Sequence, residues 1–207
     1  VGGEADLVHV NALVRGEVDL LEYQVLTIPG GFTYGDDLGA GKLLANDFLY
    51  RVREKLDRFV ARGRPILGIC NGFQVLVKVG LLPGATLYAN DSGRFECRWV
   101  HLKSTSRGRC IWTQGLEGII ELPVAHGEGK FVPESEERLS GFWEGDQVAF
   151  TYVDQDGGPA FYPDNPNGSV GGVAGLCDPS GTIFGLMPHP ERHILPYHHP
   201  NWTRGHA

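Results

Sequence analysis

The chain has 207 residues, 42% hydrophobic and 21% charged, which is the make-up of one globular domain able to bury its own core. Eighteen Lys and Arg against 25 Asp and Glu leave a formal charge of −7, arguing against nucleic acid or an anionic membrane as partner. No apolar run approaches the roughly 18 residues of a membrane span.

In chain order, 5–10 reads as a short strand on Leu7, Val8 and Val10, and 24–29 as another, running into Pro29-Gly30-Gly31-Phe32. A Gly/Asp-rich loop extends to Gly41. Residues 43–61 carry Leu44, Phe48, Val52, Leu56 and Phe59 on one helical face, with Gly63 placed to end that helix. The segment 65–69 is an apolar strand, and 71–79 a helix ending at Gly80. This alternation predicts a parallel sheet with helices on its faces. Beyond about residue 85 the pattern changes. Segments 95–102, 119–125, 146–153 and 171–176 read as strands with little helix between them, and 183–187 as a last strand. The Gly/Pro/Asp-rich stretches 104–116 and 154–169 are expected on the surface.

Glycine is the compositional outlier, at 30 residues, about twice the usual usage of roughly 7%. The surplus is expected where backbone turns sharply or approaches a ligand. The four cysteines include no C-x-x-C pair, and no signal-like segment opens the chain, so a reduced, cytoplasmic protein without a metal site is expected. Three N-x-[ST] matches at Asn90, Asn167 and Asn201 are taken as chance, and His198-His199 as a solvated tail rather than a metal site.

Gly68-Ile69-Cys70-Asn71-Gly72 places a cysteine between a strand and a helix with a glycine two residues away on each side. That is a nucleophile elbow with sulfur in place of oxygen. The glycines relieve crowding at a strained turn, and the helix N-terminus favours thiolate. The Asn71 N–H would then face a developing oxyanion. A buried structural cysteine between glycines has the same local sequence, so the elbow needs a base to go with it. His189-Pro190-Glu191 supplies one. Two residues apart in an extended segment stiffened by proline, imidazole and carboxylate point the same way. Glu191 can hold one ring nitrogen while the other faces sulfur. In α/β-hydrolases the acid precedes the histidine; here it follows, which disfavours that fold.

These segments resemble a known family. Pro29-Gly30-Gly31-Phe32-Thr33-Tyr34-Gly35-Asp36, the elbow with Gln74, Asn90-Asp91-Ser92-Gly93-Arg94-Phe95-Glu96, 122–131 with its His126-Gly127-Glu128-Gly129 core, and 185–192 together look like a class I (triad) glutamine amidotransferase. The likeness is nearest to the glutaminase subunits of phosphoribosylformylglycinamidine synthase in purine biosynthesis. The resemblance implies an α/β, flavodoxin-like fold, a mostly parallel open sheet with helices on both faces and a small antiparallel layer. It implies Cys70 as nucleophile, His189 as acid and base and Glu191 as its orienter. Gly31 would be the second oxyanion donor beside Asn71, with Gln74, His126 and Gly127 at the bound glutamine. Glu128 and Lys130 are expected to be partly exposed.

The family hydrolyses glutamine to glutamate and ammonia and passes the ammonia to a synthetase subunit, with a small bridging subunit in split complexes. No cofactor is implied in this chain. ATP and Mg belong to the synthetase, and no Gly-x-x-x-x-Gly-Lys-[Ser/Thr] pattern occurs here. The loop 33–41 and the strands around 95–102 are the expected docking face. A peptidase or a glutaminase of another pathway on the same fold, and an idle scaffolding subunit, are the alternatives. Against the family pattern the chain reads as a single domain shortened at its N-terminus, without a first strand and helix, and shortened at its C-terminus as well.

Overall fold

The computed structural model describes residues 2–32, 39 and 41–204. Among these residues seven strands form one sheet in the order β1-β2-β9-β8-β7-β4-β5. They are β1 (Leu26–Ile28), β2 (Ile66–Ile69), β4 (Glu96–Ser104), β5 (Ile119–His126), β7 (Val148–Val153), β8 (Val173–Cys177) and β9 (Ile183–Leu186). A two-stranded antiparallel ribbon pairs β3 (Ala85–Tyr88) with β6 (Lys130–Pro133). The α/β expectation holds, with one difference. The β3–β6 ribbon is the expected small antiparallel layer, but the main sheet is not mostly parallel: among the described strands only β1, β2 and β9 run parallel, and β8, β7, β4 and β5 continue it antiparallel. The physical reason is covalent. Strands such as β8 and β9 are joined by a tight turn, which can only return the chain antiparallel.

Strands β7, β8 and β9 are buried at every position, which explains their unbroken apolar runs. Helix α4 (Asn71–Val79) packs on β1, β2 and β9, and α2 (Lys42–Tyr50) packs on α4. Most of α4 is buried, including its two amide residues Asn71 and Gln74, because Phe73, Val75, Leu76 and Val79 cover more than one face. Its seat is cut to shape. A Cβ at Gly185 would come within 2.0 Å of the Phe73 ring, so that ring lies directly on the backbone of β9.

Four expectations change. The 5–10 segment forms no strand: Leu7 is fully exposed, and no strand among the described residues lies beside it to pair with. Instead α1 (Val10–Arg15) starts there, with His9 Nδ1 accepting from Asn11 N–H at 3.1 Å. The 43–61 helix is two, α2 and α3 (Arg53–Ala61). The chain bends at Arg51-Val52, which buries Val52 and lets both apolar faces follow one core where a straight rod would leave it. A helix, α5 (Glu136–Glu144), lies among the later strands, capped by Ser135 Oγ on Arg138 N–H with Glu136 and Glu137 in its first turn.

The C-terminal stretch is not a solvated tail. His199 is buried, packs edge-on against Trp99 and pairs with Glu121. Gly63 and Gly80 do end their helices with positive φ. Most of the 33–41 loop lies outside the described residues. No helix among the described residues is long and apolar enough to cross a membrane.

Candidate active site

The elbow forms where β2 meets α4. Cys70 has φ 50 and ψ −103, a left-handed conformation that a side-chain-bearing residue adopts only when its surroundings enforce it. They do so here. A Cβ at Gly68 would fall 2.6 Å from Gly72 O, and one at Gly72 would fall 1.9 Å from Ile28 O. The two glycines therefore let β1, β2 and the first turn of α4 close on each other. The Cys70 N–H donates to Leu186 O at 2.7 Å, which ties the elbow to the end of β9. Its buried thiol reaches toward Ala125 O at 3.8 Å.

Just past β9, His189 donates its backbone N–H to Pro123 O on β5 at 2.8 Å. Its ring is 1% exposed. Nδ1 lies 2.6 Å from Glu191 Oε1, and Nε2 is buried with no hydrogen-bond partner among the described residues. The carboxylate can only accept, so Nδ1 carries a proton, and in the neutral ring Nε2 presents its lone pair. Imidazole and carboxylate meet, but across a 3₁₀ turn at Pro190–Arg192 rather than along extended chain. Partial burial raises the Glu191 carboxyl, but the hydrogen bond from His189, a backbone hydrogen bond and the charges of His189 and Arg192 outweigh it and hold the carboxyl below its ordinary value. Gly30 brings the two halves together. An added Cβ there would stand 2.7 Å from His189 Cε1 and 3.4 Å from Cys70 Cβ.

Cys70 and His189 open into one cavity of about 510 Å³, which Gly31, Gln74, His126 and Gly127 also line. Gly31, at the cavity's edge, has φ 144 and is exposed. Asn71 begins the helix, and its side chain donates to Gln74 Oε1 at 3.0 Å. Gln74 Nε2 donates to Glu128 O at 2.6 Å. The Gln74 amide therefore holds the 126–129 turn to the helix that carries Cys70, besides bordering the cavity. His126 is almost fully buried, and burial, reinforced by the nearby His189, lowers its pKa to about 4 against the raising effects of its backbone and Glu96. Glu128 and Lys130 are half-buried.

Sequence pattern alone misses several residues at the cavity. Phe32 and Phe95 stand over its mouth with ring centroids 6.0 Å apart. Exposed Cys97 and half-exposed Arg192 also border it. Asn90 and Asn167 lie behind the 126–129 turn, fully enclosed and hydrogen-bonded. Two of the three N-x-[ST] matches are therefore interior residues, and the only sequence signal for them is that Asn90 opens one of the segments carrying the family resemblance.

A family described as the CobB/CobQ-like glutamine amidotransferase domain matches residues 1–207. The chain is 47% identical over 211 residues to phosphoribosylformylglycinamidine synthase subunit PurQ of Dehalococcoides mccartyi, spanning 97% of this chain and 80% of that protein. It is 43% identical over 217 residues to the protein of the same name from Treponema denticola, spanning 94% and 80%. A solved structure described as PurLQS from Thermotoga maritima superposes with a TM-score of 0.72 at 34% identity, covering 88% of this chain and 76% of that one.

Proposed function

The chain belongs to the CobB/CobQ-like glutamine amidotransferase domain family, and from that premise we propose that it is the glutaminase subunit of a phosphoribosylformylglycinamidine synthase of purine biosynthesis. The observation that carries this is the pairing at the cavity floor. An imidazole fixed by Glu191 through Nδ1 has no partner for its Nε2 among the described residues, and it stands beside a cysteine held at a strained elbow. The likeness to proteins named as subunits of that synthase supplies the pathway.

The geometry supports an acyl-transfer sequence in two halves. Glutamine enters with its side-chain amide over Cys70. The thiol proton passes to His189 Nε2 as Sγ bonds to the amide carbon, and the carbonyl electrons move onto oxygen. The Asn71 and Gly31 N–H groups stabilise that oxyanion, and the N-terminus of α4 favours negative charge at the same place. Collapse breaks the carbon–nitrogen bond, and His189 hands its proton to the departing nitrogen, giving ammonia and a γ-glutamyl thioester. Water then attacks the thioester, with His189 as base. The carbon–sulfur bond breaks, releasing glutamate and restoring the thiol. Glu191, held below its ordinary pKa, stabilises the imidazolium of both halves. Gln74, His126 and Gly127 bound the part of the cavity that receives the rest of the substrate.

This chain needs no cofactor for that half-reaction. The ammonia goes to a synthetase subunit that uses ATP and Mg to make formylglycinamidine ribonucleotide from formylglycinamide ribonucleotide, with a small bridging subunit completing a cytoplasmic complex.

A diazo-ketone analogue of glutamine tests the assignment, followed by peptide mapping of all four cysteines. Cys110 and Cys177 are buried, whereas Cys97 is exposed on the same cavity, so Cys97 is the stringent internal control. Label on Cys70 alone, blocked by excess glutamine, is expected. Label on Cys97 in place of Cys70 overturns the assignment.

A further inference from the structure

We propose that Asn90 and Asn167 are positioning residues of the glutamine pocket, which fix the tautomer of the His126 ring and lock the 126–129 turn in place. The inference rests on the glutaminase reading, since it concerns how that site is held.

Asn90 is bonded on every side. Its Nδ2 donates to His126 O at 2.8 Å and to Arg94 O at 2.9 Å. Two carbonyl partners leave no doubt which end of the amide is nitrogen. Its Oδ1 therefore faces inward, accepting from Gly129 N–H at 3.1 Å and meeting His126 Nδ1 at 3.2 Å. Its backbone N–H donates to Gly127 O at 2.9 Å. Asn167 is assigned as firmly. Its Oδ1 accepts from Ser169 N–H at 3.0 Å and Ser169 Oγ at 2.7 Å. Its Nδ2 donates to Gly129 O at 2.9 Å and Tyr152 OH at 3.1 Å, and faces His126 Nε2 at 3.5 Å. The two asparagines are joined by Asp91 N–H on Asn167 O at 3.2 Å.

The ring thus stands between an oxygen that only accepts, at Nδ1, and the Asn167 amide nitrogen, whose two hydrogens go to Gly129 O and Tyr152 OH and which offers Nε2 no acceptor. Nδ1 must carry the proton and Nε2 the lone pair. A second proton on Nε2 would point a donor at a donor. This is the local counterpart of the burial that lowers the His126 pKa to about 4. A neutral His126 matters because His189 becomes cationic during turnover in the same cavity, and a second cation there would oppose it. The turn is held from its other side by Gln74 on Glu128 O, so the clamp and the elbow are rigidly joined. A Cβ at Gly129 would stand 2.6 Å from His126 Nδ1, so the turn closes around the ring without slack.

The test uses Asn90→Ala and the nearly isosteric Asn167→Asp, each in the assembled complex with its synthetase. Two things are measured: glutamine kinetics, and the ring ¹⁵N spectrum of His126 from pH 5 to 8. The wild type is expected to show a single neutral Nδ1–H ring throughout. Both variants are expected to raise KM for glutamine by about tenfold with kcat within about threefold, the signature of lost positioning away from the reacting bond. In Asn167→Asp the carboxylate accepts where the amide donated, so the ring is expected to take a proton on Nε2. Where Asn90→Ala does not fold, Asn167→Asp decides. A folded Asn167→Asp protein with unchanged ring spectrum and unchanged KM overturns the proposal. So does a purely structural result, in which melting temperature falls while KM and ring stay as they were. If the wild-type complex turns over no glutamine, the glutaminase reading fails, and the ring spectrum alone decides whether the clamp exists.

Discussion

Gly30→Ala adds one methyl group where Cys70 and His189, the proposed catalytic pair, come together. The added carbon would stand 2.7 Å from His189 Cε1, 3.3 Å from Nδ1 and 3.4 Å from Cys70 Cβ. Carbon atoms pack at roughly 3.5–4.0 Å, so something must give by about 1 Å. The backbone conformation is no obstacle, because Gly30 is not among the glycines with positive φ. Neither is the ring free to retreat, being buried, held at 2.6 Å by Glu191 and anchored through its N–H to Pro123. Overpacking of this kind costs about 1–3 kcal/mol, which a domain with about 5–15 kcal/mol of stability survives. A misplacement of about 1 Å between reacting groups costs on the order of 10²-fold in rate. Gly30→Ala is therefore expected to fold, to lose about two orders of magnitude in kcat/KM for glutamine, and to leave synthesis from free ammonia intact in the complex. A folded variant with near wild-type glutamine turnover refutes the placement of His189 against Gly30.

Glu191→Gln keeps an acceptor for Nδ1–H but removes the charge proposed to stabilise imidazolium. Because Glu191 is about half exposed, kcat is expected to fall at least about tenfold yet short of the roughly 10²–10⁴ of losing acid–base catalysis altogether. Steady-state kinetics that leave kcat unchanged would remove Glu191 from the triad. For His126, the folded pKa of about 4 lies below the ordinary 6.5, so between these values the unfolded chain binds the proton and the folded one does not. Stability is full above about 6.5, declines as pH falls toward 4 and levels off below, a total of about 3 kcal/mol. Urea unfolding between pH 7 and 4.5 should show that slope, and His126→Gln should flatten it. Parallel slopes in the two proteins would contradict a buried neutral ring.

The elbow and the His-Pro-Glu segment are legible in the sequence because each depends on local chain geometry. A strand-to-helix turn needs glycines at fixed offsets, and two side chains must reach each other across one proline. The buried strands β2 and β9 are legible for the same reason, as unbroken apolar runs between turn residues. What pattern does not disclose depends on partners distant in sequence. The bend at Val52 is set by the core that α2 and α3 must both cover. The burial of His199 depends on Trp99 and Glu121 across the sheet. The 5–10 segment has strand-like residues but no strand beside it among the described residues. Asn90 and Asn167 meet His126 from positions 36 and 41 residues away, and apart from Asn90's place at the head of a family segment nothing in their own surroundings distinguishes them from surface asparagines. Helix α5 is a different case: its Ser cap and acidic first turn stand in the sequence, masked by the strands on either side.

The most direct test of the central claim is Cys70→Ala in the complex with the synthetase, with amidine formation measured separately from glutamine and from ammonia. The account predicts that the glutamine-dependent rate disappears and the ammonia-dependent rate stays at the wild-type level. Undiminished synthesis from glutamine would contradict it.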